Sequence, residues 1–324
     1  MTAHRRRFIE ANGIRLHVAE QGNGPLVLLC HGFPETSHAW RHQLAALAQA
    51  GFHAVAPDLR GYGLSDCPED IGQYTTLDVI GDLVALVGVL GESQAVIVGN
   101  DWGATIAWQA AMLRPDRFRG VAALGVPMMG RAPCAPSRLF PQNEQAWFYT
   151  HYFSECGLAE REFALDVGAT LRKIYFSASG DVGVRDASTP NPFGLVPRDK
   201  PYLDTLDDFP SLPNWLGAAD LEEFVHAFEV SGFRGGLNYY RNLDRNWETQ
   251  AAFEGLRIEV PALYLVGERD TGLVMPGMRE MIDAMPKTVP NLRKSEVVAA
   301  AGHWLPQEAP GVVNAALIEF LNGL

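Results

Sequence analysis

No apolar run in this chain is long enough to cross a bilayer. The basic residues 1–7 lead into the alternating Ile14, Leu16 and Val18 of a strand, not into the unbroken apolar core of a secretion signal. Cysteine is scarce: Cys30, Cys67, Cys134 and Cys156 lie scattered, with neither CxxC nor metal-ligand spacing. Such usage fits a reducing compartment better than a disulfide framework, and a cytoplasmic location is expected. Positive charge is also short, since 26 Lys and Arg against 38 Asp and Glu leave a formal net charge of -12. That balance disfavours nucleic acid and anionic membranes as partners, and no basic, aromatic-laced stretch opposes it. Internal repeats and low-complexity tracts are absent. What remains is a globular composition, 47% hydrophobic and 20% charged over 324 residues, ample for a sizeable core and long enough for about two domains.

The first third alternates strand and helix patterns, which implies a largely parallel sheet with flanking helices. Strands are expected at residues 26–30, 53–57, 95–98 and 120–126. Ser37 is placed as the cap of the first helix, which Gly51 ends, and Thr75 with Asp78 forms a capping box for the next. From about residue 129 to 250 the chain carries prolines, aromatics and helical patterns but few strand signals, and a helical cap inserted into the core is expected there. An aromatic helix over 144–155 would contain Trp147, Tyr149 and Tyr152, and residues 173–212 read as a long connection. The core resumes with strands at 262–266 and 296–298 and a closing helix that buries Val313, Leu317, Phe320 and Leu321. The division is therefore 1–128 core, 129–250 cap and 251–324 core.

The stretch 95–108, AVIVGNDWGATIAW, packs a buried strand, a tight turn and a helix around one acid, Asp101. Gly99, Gly103 and Ala104 are small enough to let strand and helix approach, and the turn holds the acid up and out. A carboxylate there attacks carbon without a base to activate it. The resulting ester needs a water deprotonated by a neutral histidine, itself oriented by another carboxylate. His303, in Gly-His-Trp after the last strand, is the candidate base. Asp270 is its candidate orienter, with Glu268 the fallback. His31-Gly32-Phe33-Pro34 would set the Phe33 N–H beside that of Trp102 as an oxyanion hole. His31 itself reads as structural, and Asp58 as a tie between neighbouring loops.

The turn resembles the nucleophile elbow of the α/β-hydrolase fold, with aspartate in place of the usual serine, and the order Asp101, Asp270, His303 is the chain order of that fold. With His31-Gly-Phe-Pro-Glu, Gly-Phe-Arg-Gly-Gly-Leu-Asn-Tyr-Tyr-Arg-Asn and Gly302-His303-Trp304, nearly the whole chain is similar to the epoxide hydrolases of that superfamily, most of all the hydrolase domain of the soluble ones. The single-domain bacterial type, without an amino-terminal phosphatase domain, is expected. The resemblance implies conversion of an epoxide to a vicinal diol through an alkyl-aspartate ester. It makes Tyr149 and Tyr240 the acids that protonate the epoxide oxygen, leaving Tyr152 and Tyr239 to packing. It also implies no metal or organic cofactor, with a small hydrophobic epoxide and water as the partners. A homodimer remains open. One departure is Asn100, where the family commonly has histidine before the nucleophile. The runner-up is a haloalkane or fluoroacetate dehalogenase using the same aspartate, disfavoured because Phe33 stands where a halide-binding asparagine is usual. A non-catalytic binder of hydrophobic ligands would have no reason to keep Asp101, Asp270 and His303 together.

Overall fold

The computed structural model describes residues 4–185, 191–207 and 211–324. Part of the connection expected at 173–212, residues 186–190 and 208–210, therefore lies outside the described residues, as do residues 1–3 of the basic start. The strands in chain order are β1 (Arg5–Ala11), β2 (Ile14–Gln21), β3 (Leu26–Cys30), β4 (His53–Pro57), β5 (Ala95–Asn100), β6 (Phe118–Leu124), β7 (Ala146–Phe148), β8 (Leu195–Pro197), β9 (Ala262–Gly267) and β10 (Leu292–Val298). Eight form one sheet in the order β1-β2-β4-β3-β5-β6-β9-β10, antiparallel from β1 to β4 and parallel beyond.

Alternation along the central strands explains why the sheet is buried on both sides. Leu26, Leu28, Cys30, Ala95 and Ile97 join one apolar cluster, which continues into the helices between β6 and β9. Val27, Leu29, Val96 and Val98 join another, closed by Leu44, Leu47, Val313, Leu317 and Phe320. The helix Thr76–Val89 opens with the expected capping box, Thr75 with Asp78. Asp58 ties loops as expected, taking N–H groups from Ser37 at 2.8 Å and Leu64 at 3.2 Å with His17 Nδ1 at 2.8 Å.

Several boundaries differ from the sequence reading. Thr36, not Ser37, caps the first helical turn, because its side chain accepts from the His38 N–H. β5 runs on to Asn100 and its helix, Trp102–Leu113, starts immediately after the acid, so the turn is shorter than expected. β6 is Phe118–Leu124, two residues earlier than expected. Most clearly, 144–155 is not one helix: Ala146–Phe148 is a strand paired antiparallel with Leu195–Pro197, and a short helix, Tyr149–Ser154, follows. The pairing partner is about fifty positions away in sequence, so local periodicity could not reveal it. Further on, Gly232, φ 63°, separates helices Ala218–Ser231 and Arg234–Arg241.

The approach of strand and helix at the β5 turn depends on atoms glycine lacks. A Cβ on Gly103 would overlap the Cys30 carbonyl, and one on Gly99 would overlap the Gly103 carbonyl. Gly103→Ala should therefore destabilise the protein by about 2 kcal/mol or more. Gly311→Ala, exposed in helix Pro310–Asn322 with nothing within 4 Å of an added Cβ, should gain up to about 1 kcal/mol. Urea unfolding of the two variants measures the contrast, and equal midpoints would contradict it.

Candidate active site

Asp101, Asp270 and His303 follow the carboxyl ends of β5, β9 and β10, and the parallel register brings those ends together. Asp101 has φ 54° and ψ -121°, a conformation costly for a residue with a side chain. The tight strand-to-helix junction enforces it, and Gly32 leaves room, since a Cβ there would overlap the Asp101 side chain. Asp101 Oδ1 accepts the Phe33 N–H at 2.9 Å. Trp102 opens the helix, so its N–H has no acceptor in a preceding turn; among the described residues it makes no hydrogen bond to the carboxylate. Oδ2, turned the other way, lies 3.6 Å from His303 Nε2.

On its other side the His303 imidazole meets Asp270, with Nδ1 3.2 Å from Oδ2 and 3.4 Å from Oδ1. Side-chain exposure is 4% for His303 and 2% for Asp270, against 17% for Asp101. Asp270 is itself fixed, because Oδ1 accepts the Gly272 N–H at 2.8 Å. Glu268, the fallback, is exposed and accepts the Ala300 N–H at 3.0 Å instead. Burial alone would push the imidazolium pKa down. The charge of Asp270, its hydrogen bond to Nδ1 and the nearby charge of Asp101 outweigh it and hold His303 well above the ordinary histidine value.

The two tyrosines arrive from separate helices between β6 and β9. Tyr149 begins Tyr149–Ser154 and Tyr240 lies within Arg234–Arg241, with ring centroids 6.0 Å apart. Tyr240 also packs edge-on against Trp102 at 5.2 Å and Phe33 at 5.7 Å. Burial first, and then the charge of Asp101, raise both phenol pKa values, so both hydroxyls are protonated at neutral pH. The neighbouring phenols are engaged elsewhere: the Tyr152 hydroxyl donates to Glu162 and that of Tyr239 to the Arg60 carbonyl. His31 is structural, accepting the Leu59 N–H at 3.0 Å.

Three neighbours carry no role in the sequence reading. Phe193 spans the site, 4.9 Å from the His303 ring and 5.4 Å from Tyr149. Glu35 is wholly buried, and burial pushes its carboxyl up to about 7, with the charge of His303 opposing and that of Asp101 adding. Gln307 donates to its Oε1 at 2.7 Å, while Oε2 has no hydrogen bond among the described residues. A charged residue directly after His-Gly-Phe-Pro, where the chain turns inward, was the available signal. Asn100 is buried beneath the nucleophile, its Nδ2 3.5 Å from the His303 carbonyl. Among the described residues no group of three or more His, Cys, Asp or Glu side chains could hold a metal ion, and no helix is long and apolar enough to cross a membrane.

A family model described as the alpha/beta hydrolase fold matches residues 25–310, so fold and site together define an α/β-hydrolase. Epoxide hydrolase A of Mycobacterium tuberculosis is 41% identical, covering 100% of this chain and 99% of its own, and an epoxide hydrolase of Caballeronia sordidicola is 38% identical over 97% and 92%. The solved structure of an epoxide hydrolase from an endophytic Streptomyces superposes with a TM-score of 0.93 at 41% identity, over 100% of this chain and 96% of that one. The chain belongs to the epoxide hydrolase family of α/β-hydrolases.

Asp101→Asn keeps the shape of the side chain and removes one of the two negative charges beside His303. The His303 titration midpoint, read by ¹⁵N NMR of the ring, should fall in this variant relative to the wild type. An unchanged midpoint would contradict the electrostatic link between the two residues.

Proposed function

We propose that this chain opens an epoxide and hydrolyses it to a vicinal diol in two covalent steps, with Asp101 as nucleophile. The observation that carries this is the convergence of Asp101 with two protonated cap phenols: the Tyr149 and Tyr240 rings are 6.0 Å apart and both feel the Asp101 charge. In the first step Asp101 Oδ2 attacks a ring carbon, the carbon–oxygen bond of the epoxide breaks, and Tyr149 and Tyr240 supply the hydrogen bonds and proton to the leaving alkoxide. In the second step His303 takes a proton from water, which attacks the ester carbonyl carbon. The tetrahedral oxyanion forms at Oδ1, where the Phe33 N–H already points. Trp102 N–H is the second donor for that oxygen. Collapse releases the diol with Oδ2, which takes the proton of the tetrahedral hydroxyl, and leaves the water's oxygen in the Asp101 carboxylate. The proton held by His303 returns to the tyrosinate.

Asp270 orients the imidazole and stabilises its charge. Esterification makes Asp101 neutral. One of the causes that hold His303 protonated is thereby removed, and the base becomes available at a lower pH than in the free enzyme. The same reading divides the chain into core 1–128, cap 129–250 and core 251–324. It is supported by the large sheet, all of whose strands lie outside 129–250.

A single-turnover experiment with styrene oxide, quenched and read by mass spectrometry, tests the assignment of roles. His303→Gln should accumulate a protein adduct one epoxide heavier, carried on the Asp101 peptide. Each of Tyr149→Phe and Tyr240→Phe should slow adduct formation by about a hundredfold, and the double variant should nearly abolish it. Diol formation at the wild-type rate in the double tyrosine variant, or a His303→Gln protein that turns over without adduct, would overturn the proposal.

A further inference from the structure

Behind the base sits a half-buried carboxyl that takes no part in the two steps above. Glu308 ends the short helix Leu305–Glu308, directly after the His303 loop. Its Oε2 accepts the N–H groups of Gly180 at 2.8 Å and Gly302 at 2.9 Å, and its Oε1 accepts that of Trp304 at 2.9 Å. Gly302 and Trp304 flank His303, whereas Gly180 belongs to the cap.

Other bonds run across the same junction. The His303 N–H donates to the Ala178 carbonyl at 3.0 Å, the Trp304 indole N–H to the Tyr175 carbonyl at 2.8 Å, and Arg269 Nη1 to the Gly180 carbonyl at 2.9 Å. The backbones touch, since a Cβ on Gly302 would overlap the Gly180 nitrogen and one on Gly180 would overlap the Ala300 carbonyl. The end of the cap helix Val167–Ser177 and the histidine loop thus form one hydrogen-bonded block with Glu308 at its centre.

Burying a carboxyl is expensive, and here burial pushes Glu308 up to about 7 against the three N–H donors. What the position demands is two acceptor oxygens, because donors converge on both. Glutamine has one such oxygen, and its NH₂ would face a backbone N–H. We propose that Glu308 is a positioning residue for the base, clasping the His303 loop to the cap so that the imidazole keeps its place between Asp270 and Asp101. The proposal rests on the two-step reading above. The imidazole has little slack, with 3.2 Å to Asp270 on one side and 3.6 Å to Asp101 on the other. A shift of roughly 1 Å in such a group can cost about a hundredfold in rate.

His303 serves only ester hydrolysis, and the two steps therefore separate positioning from mere stability. Quenched-flow mass spectrometry with styrene oxide would follow formation and decay of the Asp101 adduct in the wild type, Glu308→Gln and Glu308→Asp. Glu308→Gln should alkylate within about twofold of the wild type and hydrolyse the ester at least about tenfold more slowly, so that adduct accumulates. Glu308→Asp keeps both oxygens on a shorter arm and should show the same selectivity in milder form, which serves the test if the glutamine variant does not fold. Equal slowing of both steps, or slowing of neither, in whichever variants fold would overturn the clasp. Absence of any adduct in His303→Gln run alongside would mark a different failure, that of the two-step reading itself, and the clasp would fall with it.

Discussion

The negative charge of Asp101 acts on His303, Tyr149 and Tyr240 together, beside the burial of all three. The carboxylate is held at φ 54° by a turn whose glycines cannot be replaced without overlap, with one oxygen on the Phe33 N–H and the other toward His303. While that charge is present, it raises the His303 pKa and also those of Tyr149 and Tyr240. The resting site thus holds an imidazolium between Asp101 and Asp270, beneath two neutral phenols. In the proposed mechanism, negative charge leaves Asp101 as attack proceeds and develops on the epoxide oxygen beside the phenols. Their hydrogen bonds therefore strengthen where charge appears, which is the requirement for stabilising a transition state more than the substrate. The same loss of charge releases the proton on His303 for the next step. On the proposed mechanism one carboxylate thereby orders the sequence of events: acid chemistry while it is being consumed, base chemistry once it is an ester.

The cap is more than a cover in this arrangement. It carries both phenols on separate helices, and through Tyr175, Ala178 and Gly180 it is bonded to the loop that carries the base. The Tyr175 hydroxyl donates to the Pro34 carbonyl at 2.7 Å, beside the residue whose N–H holds Asp101. One end of one cap helix consequently braces both the oxyanion side and the histidine side of the site.

Much of this was legible in the sequence where local pattern and tertiary role coincide. β3 and β4 have the expected bounds, the Thr75–Asp78 box opens its helix, and the turn around Asp101 announces itself by small residues packed about one acid. What was not legible depends on distant partners. Ala146–Phe148 is strand only because Leu195–Pro197 lies against it, and Thr36 caps a turn that Ser37 would serve equally well on composition. Asp270 and Glu268 are indistinguishable by chemistry; burial against the imidazole separates them, and that is a property of the loop's path after β9. Glu308 has no role in the sequence reading, because the N–H donors that converge on it come from Gly180, Gly302 and Trp304, and the fold alone brings Gly180 there.

The central claim, that Asp101 attacks carbon and the ester is then opened at its carbonyl, is tested most directly by one turnover in water enriched in ¹⁸O with enzyme in excess over epoxide. The account predicts an unlabelled diol and one heavy oxygen in the Asp101 carboxylate, located by peptide mass spectrometry. Heavy oxygen in the diol after that first turnover, with Asp101 unlabelled, would mean that water attacks the epoxide directly and would contradict it.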